Sequence, residues 1–284
     1  MIVAIDGPSG AGKSSVSKAA ARKLGFSCLD TGAMYRAVAW QALHDGIALD
    51  DEEALGRIAR THEIDFEHED GDPVAKRVLI GGVEVTSAIR TAEVDHAVSA
   101  VSAVPAVREA LVEQQRRIGR GGDFVVEGRD IGTTVFPDAE VKIFLTASPK
   151  ARAQRRVAQN AKHGVGSTDF DEVYADILRR DDYDSSRAAS PLRPAEDAVL
   201  IDSTAYSKQE VIDAVCELAR KAGACAAGTA DEPAAAAADE AAVAVAGEAA
   251  TAAGEPVAAA GSAGAADSAG AAFAADGHGE GMAR

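Results

Sequence analysis

Short, unbroken apolar runs rich in β-branched residues recur along the first three quarters of the chain, separated by longer stretches of helical periodicity. Ile2-Val3-Ala4-Ile5, Phe124-Val125-Val126, Val141 to Leu145 and Val199-Leu200-Ile201 are such runs, with a shorter one at Ser27 to Leu29. Runs with no polar alternation are expected of strands buried on both faces. Their alternation with helices predicts an α/β fold, a five-stranded parallel sheet with helices on both faces. Helix starts are marked by local chemistry. Ser148-Pro149 offers a cap with Pro at the first helical position, and Ser207-Lys208-Gln209-Glu210 is a capping box. After that box Val211, Val215, Leu218 and Ala222 predict one apolar face on a last helix that packs on the sheet and ends at Gly223. One segment breaks the rhythm: Ile64-Asp65-Phe66, Val78-Leu79-Ile80, Gly81-Gly82 and Val83-Glu84-Val85 read as strands with a two-Gly hairpin turn. A small antiparallel insertion is expected at about residues 62–86.

The first strand runs directly into Gly7-Pro8-Ser9-Gly10-Ala11-Gly12-Lys13-Ser14, and a helical pattern follows from Ser15 to Leu24. Strand, Gly-rich loop and helix in this order form a phosphate-binding loop. The glycines let backbone N–H groups turn inward, so a polyphosphate can sit at the helix N-terminus. Lys13 is expected to reach the β and γ phosphates, and the Ser14 hydroxyl to ligate Mg²⁺. The expected nucleotide-phosphate set is Gly7, Pro8, Ser9, Gly10, Ala11, Gly12, Lys13, Ser14 and Ser15, on a P-loop NTPase-type sheet.

Composition changes after Gly223. Residues 224–284 are dominated by Ala and Gly, with Phe273 as the one aromatic residue and no Leu or Ile. Such a segment buries too little apolar surface to offset its ordering entropy, so a disordered acidic tail is expected. It carries nine acidic residues against Arg284, which leaves −8 of the net −16 on the remaining 223 residues. A core this acidic lacks the basic stripe of a general nucleic-acid binder. Cys28, Cys216 and Cys225 are odd in number, far apart and without metal-ligand spacing, as expected in a reducing compartment. With no apolar stretch of about 18 residues and no signal-peptide pattern, a cytoplasmic protein without membrane contact is expected.

The chemistry is narrowed by elimination. No Asn-Lys-x-Asp segment is present to read guanine, and Val125-Val126-Glu127 is followed by Gly128-Arg129-Asp130 rather than by the Asp-Glu strand end of motor ATPases. Small phosphotransferases remain, and these need a second anion site facing the γ-phosphate. Arg36, Arg129 and Arg187 fall where ligands bind in open α/β sheets. Arg152, Arg155 and Arg156, at i, i+3 and i+4, share one helix face. With Gly164 and Gly166 beyond them, they read as a lid closing over the phosphates, at about residues 149–187. His62, Glu67, His68, Glu69 and Asp70 match no ligand spacing and read as an exposed acidic loop. Kinases of several small acceptors, and a nucleotide-binding regulator without transfer activity, stay open on these grounds.

Asp30-Thr31-Gly32-Ala33-Met34-Tyr35-Arg36, Glu127-Gly128-Arg129-Asp130-Ile131-Gly132-Thr133, Arg180-Asp181-Asp182 with Arg187, and Ser190-Pro191-Leu192 through Ile201-Asp202-Ser203-Thr204 together resemble the bacterial cytidylate kinases. With the phosphate loop, the resemblance spans residues 1 to about 223, and the tail lies outside it. It implies a P-loop nucleoside monophosphate kinase domain with a monophosphate-binding subdomain at about residues 31–120. The implied reaction is Mg²⁺-dependent phosphoryl transfer from ATP to CMP or dCMP by a monomer. It implies catalytic roles for Lys13, Arg129 and Arg187, with Arg36, Arg129 and Arg187 on the acceptor phosphate. Ser99, Arg108 and Asp130 would contact cytosine, Arg180 and Asp184 the sugar, and Thr31 belongs to the same CMP-binding set. Arg152, Arg155 and Arg156 would serve ATP. Glu127 stands where other members carry Asp, which leaves the local Mg²⁺-water geometry open.

Overall fold

A computed structural model describes residues 1–187 and 189–224 of the chain; the expected tail lies outside the described residues, apart from Ala224. Five parallel strands form the main sheet: β1 (Ile2–Asp6), β2 (Ser27–Asp30), β6 (Phe124–Gly128), β7 (Val141–Thr146) and β8 (Val199–Asp202), in the order β2-β6-β1-β7-β8. The central strand β1 pairs Val3 with Val125 and with Val141, so the ends of β1, β6 and β7 fall at one edge of the sheet. All five runs expected from the sequence are strands.

Alternation along these strands divides the apolar core in two. Val3, Ile5, Cys28, Val125, Ile143 and Leu145 face α1 (Lys13–Leu24) and α8 (Lys208–Lys221). Ala4, Leu29 and Val126 face the other way, toward α2 (Thr31–His44), α3 (Glu52–Thr61), α4 (Ala92–Ala103) and α5 (Pro105–Gly119). A period of two thus supplies both faces of a parallel sheet. The capping box on α8 forms in both directions between Ser207 and Glu210. Its buried face is Val211, Ile212, Val215, Cys216 and Ala219, while Leu218 is partly buried and Ala222 is exposed. The expected stripe is therefore rotated, because α8 packs against α1 as well as β7 and Ala222 lies past the last turn.

The insertion is a three-stranded antiparallel sheet of β3 (Ile64–Glu67), β4 (Arg77–Ile80) and β5 (Val83–Glu84). Gly81 and Gly82 join β4 to β5 with φ of +55° and +81°, both in the left-handed region that a tight hairpin turn demands. Ile64 and Ile80 pair across it and bury into the core around α2 and α5. Helices α6 (Pro149–His163) and α7 (Phe170–Ser186) form a separate hairpin, with the Ser148 hydroxyl capping α6 as expected. Its apolar contacts are modest: Ala153, Val173 and Ile177, flanked by Val157, Phe170 and Tyr174.

Candidate functional site

Residues 7–12 turn between β1 and α1 at the carboxyl end of the sheet. Gly7, with φ +147°, admits no side chain, since a Cβ there would lie 1.9 Å from the Leu145 carbonyl oxygen. When a loop turns its N–H groups inward, its carbonyls face outward and need donors. Here each of three carbonyls has one: Lys13 Nζ donates to Pro8 O at 2.8 Å, Arg152 Nη1 to Ser9 O at 3.0 Å, and Ser203 Oγ to Ala11 O at 3.2 Å. Arg155 Nη1 reaches Ala11 O at 3.5 Å, and its guanidinium also donates to the Ser203 hydroxyl and carbonyl at 2.9 and 2.6 Å. Arg156 Nη2 donates to Ser9 Oγ at 3.1 Å. The exposed Ser15 hydroxyl donates to Gly12 O. Burial, and then the neighbouring Arg129, lower the pKa of Lys13. A cation so poorly solvated favours an incoming anion.

Beside the loop, Ser14 Oγ donates to Glu127 Oε2 at 2.8 Å. Burial and then Asp30 push the Glu127 carboxyl up to about 7, and its other oxygen, Oε1, is buried with no partner. A buried carboxylate oxygen left unpaired next to a hydroxyl suits a hydrated divalent cation. Asp6, at the end of β1, accepts from the backbone N–H groups of Ile131 and Gly132, both at 2.8 Å, and so fixes the turn that follows Arg129 and Asp130. Burial raises its pKa to about 6 against the pull of those two bonds.

Guanidiniums from four elements cluster beside the loop, where Arg156 reaches Ser9 and Arg129 acts on Lys13. Arg36 on α2 donates to Asp95 Oδ1 of α4 at 3.1 and 3.0 Å. Arg129, just past β6, donates to Asp184 Oδ2 of α7 at 3.0 Å. Arg187 lies 3.9 Å from Asp184 Oδ1, and its Nη2 is buried with no hydrogen-bond partner. Arg156 of α6 and Arg180 of α7 complete the group, each with its pKa lowered by burial and by Arg36 and Arg129, while Asp95 opposes the shift. Burial works against ionising Asp95 and Asp184, yet the surrounding arginines hold both below the usual carboxylate range. Among the described residues Asp95 and Asp184 pair directly with members of this group, while Asp30, Asp130 and Asp176 each act on one of its arginines, so five guanidiniums share few direct carboxylate partners. Oxyanions are their natural partners.

Next to this cluster Arg108 and Asp130 form a buried ion pair. Arg108 also donates to the Ser102 carbonyl at 3.2 Å and lies over the Tyr35 ring, 5.4 Å from its centroid. Ser99, partly buried on α4, contributes its carbonyl to the Ser102 hydroxyl. Two expected residues are turned inward. The Thr31 hydroxyl donates to the Glu127 carbonyl at 2.7 Å and the residue is buried, while Arg152 is fully engaged by protein groups. Of the other expected residues, Arg36, Arg129, Arg156, Arg180, Asp184 and Arg187 act electrostatically on one another, and Arg108 and Asp130 act on Arg187. Asp6, Asp95, Asp181, Ser102 and Ser203 join them, although residue patterns alone did not single them out for these contacts. Their only signal was position, Asp6 next to the loop and Asp181 and Ser203 inside quoted motifs.

A phosphate loop on a β2-β6-β1-β7-β8 parallel sheet, with a cluster of arginines beside it, fits a P-loop phosphotransferase of the nucleotide kinase class. The protein-family profile described as "Cytidylate kinase" matches residues 3–221. Among curated proteins, the chain is 50% identical over 216 residues to "Cytidylate kinase" of Desulfitobacterium hafniense (strain Y51), covering 76% of this chain and 91% of that protein. It is 54% identical over 215 residues to the Rhodococcus opacus (strain B4) "Cytidylate kinase", covering 75% and 91%. Of a "Bifunctional pantoate ligase/cytidylate kinase" of Synechococcus sp. (strain JA-3-3Ab), 51% identical over 220 residues, the alignment spans 78% of this chain and 41% of that protein. The chain belongs to the cytidylate kinase family and is an ATP-dependent nucleotide kinase.

Proposed function

We propose that this kinase transfers the γ-phosphoryl group of Mg²⁺-ATP in line to the phosphate of CMP or dCMP, giving CDP or dCDP. The observation that carries the reading is the pairing of two anion sites, the loop ending in Lys13 and the group of Arg36, Arg129 and Arg187 with their shared carboxylates. The acceptor is already an anionic phosphate, so no strong general base is needed. Catalysis is positioning and charge neutralisation. Lys13 leaves the Pro8 carbonyl for the transferring phosphoryl oxygens, and Arg129 and Arg187 act at the same centre. Arg36, Arg129 and Arg187 exchange Asp95 and Asp184 for acceptor phosphate oxygens. Ser14 and Glu127 would hold Mg²⁺, which would supply charge neutralisation on the polyphosphate.

Cytosine offers an exocyclic amine that Asp130 can accept, with Arg108 and Ser99 serving its acceptors; uracil would turn a carbonyl against the carboxylate. Arg180 and Asp184 take the sugar, and Thr31 supports this site through the Glu127 carbonyl. Arg155 and Arg156 serve the ATP side. In this reading residues 1–223 form one kinase domain, with an acceptor-binding subdomain at about 31–120 and a lid at about 149–187 whose closure excludes water. The enzyme acts as a cytoplasmic monomer. Lys13→Ala should abolish transfer while circular dichroism and the melting temperature report an intact fold. Near-normal turnover by that variant would overturn the mechanism.

A further inference from the structure

By its spacing with Arg155 and Arg156, Arg152 is expected to close over phosphates, but its surroundings are of another kind. The residue is 3% exposed. Nε donates to the Ala147 carbonyl at 2.9 Å, Nη1 to the Ser9 carbonyl and to Asp181 Oδ1, each at 3.0 Å, and Nη2 to Asp181 Oδ2 at 2.5 Å. One guanidinium therefore ties the end of β7, the phosphate loop and helix α7 together. The contact is close at the backbone too, since a Cβ on Gly10 would lie 3.0 Å from Arg152 Cβ. Touching a nucleotide would require Arg152 to give up bonds to the buried Ala147 and Ser9 carbonyls and its two-oxygen pairing with the partly buried Asp181, which is costly. On α7, Asp181 directly follows Arg180 and precedes Asp184 by three residues, so it shares a rigid helix with the groups assigned to the acceptor.

We propose that Arg152, paired with Asp181, is a positioning residue that fixes the phosphate loop relative to α7, and hence the donor phosphate relative to the acceptor, without touching either nucleotide. The inference rests on the assignment of the loop to ATP and of the α7 residues to CMP. In-line transfer depends steeply on this spacing, since a displacement of about 1 Å costs about 100-fold in rate. The bidentate fork is suited to holding it.

The test compares the full-length wild type with Asp181→Asn, Arg152→Met and the double variant, measuring kcat, KM for ATP and for CMP, and the melting temperature. The expected result is a fall in kcat of about 100-fold in each single variant. A double variant no worse than the poorer single one is expected as well, because the two residues act as one unit. Asp181 is 24% exposed at its side chain, so Asp181→Asn can carry the test even if Arg152→Met fails to fold, and Asp181→Glu should recover part of the lost kcat. Near-wild-type turnover in Asp181→Asn, with or without a lowered melting temperature, would overturn the proposal. If Arg152→Met alone is then impaired, Arg152 acts directly on ATP; if neither is impaired, the pair is only structural. Lys13→Ala measured alongside tests the underlying assignment separately, because it abolishes transfer if the loop is the donor site, whatever the Arg152–Asp181 pair does.

Discussion

The main sheet and the α6–α7 hairpin are held by different physics. Around the sheet, both faces are sealed by apolar side chains, Val3, Ile5 and Leu145 on one side and Leu29, Val126 and Leu111 on the other. The hairpin has a small apolar seam of Ala153, Val173 and Ile177, and it meets the phosphate loop through the guanidiniums of Arg152, Arg155 and Arg156. Apolar burial is non-directional, and nothing in a nucleotide can replace it. A guanidinium bonded to a hydroxyl, as Arg156 is to Ser9, can instead be transferred to a phosphate oxygen with little net loss. The sheet thus supplies a fixed platform, while the hairpin is joined to it partly by bonds that a substrate can take over.

The sharpest way to separate the two regions is to remove matched apolar groups. Leu111→Ala, on the buried face of α5, should cost about 2–5 kcal/mol of global stability, read from chemical denaturation, with KM values little changed. Ile177→Ala, equally buried but in the hairpin seam, should lower global stability by only about 1 kcal/mol, because a small unit opens locally before the whole domain unfolds. Its larger effect should be a several-fold rise in KM for ATP. Equal losses of global stability from the two substitutions would mean that the hairpin is part of the same cooperative core.

A smaller effect should distinguish the platform's own polar elements. Asp6 has a folded pKa of about 6, raised by burial from 3.8, so the native state binds the proton more tightly than the unfolded chain. Its contribution to stability is fully present below pH 3.8 and is lost as pH rises through 6. Between pH 7 and pH 5, wild-type stability relative to Asp6→Asn should therefore rise by about 1 kcal/mol. A difference that falls over the same interval would show that the two backbone bonds from Ile131 and Gly132 outweigh burial at this carboxyl.

This division also explains what was legible in the sequence. Strands were readable because unbroken β-branched runs are local, and the caps at Ser148 and Ser207 because a cap spans three residues. The phosphate loop was readable as a contiguous motif, and the hairpin turn at Gly81-Gly82 as a dipeptide. The arginines of the second anion site and Asp184 could be named, but not Asp95 or which carboxylate pairs with which arginine. Asp95 meets Arg36 and Asp184 meets Arg129 only after α4 and α7 have packed. Arg152 is the clearest case: its three-residue spacing from Arg155 predicts a shared face, yet the groups it bonds to, Ser9 and Asp181, are distant along the chain. The rotated face of α8 has the same origin, since α1 rather than the sheet alone selects which residues are buried.

The most direct measurement is ADP release by the full-length protein with Mg²⁺-ATP against CMP, dCMP, UMP, AMP and no acceptor. Strong turnover with CMP and dCMP, weak turnover with UMP and AMP, and little without an acceptor are predicted by two anion sites beside the Arg108–Asp130 pair. ADP release that is indifferent to the acceptor, or fastest with UMP or AMP, would contradict that account.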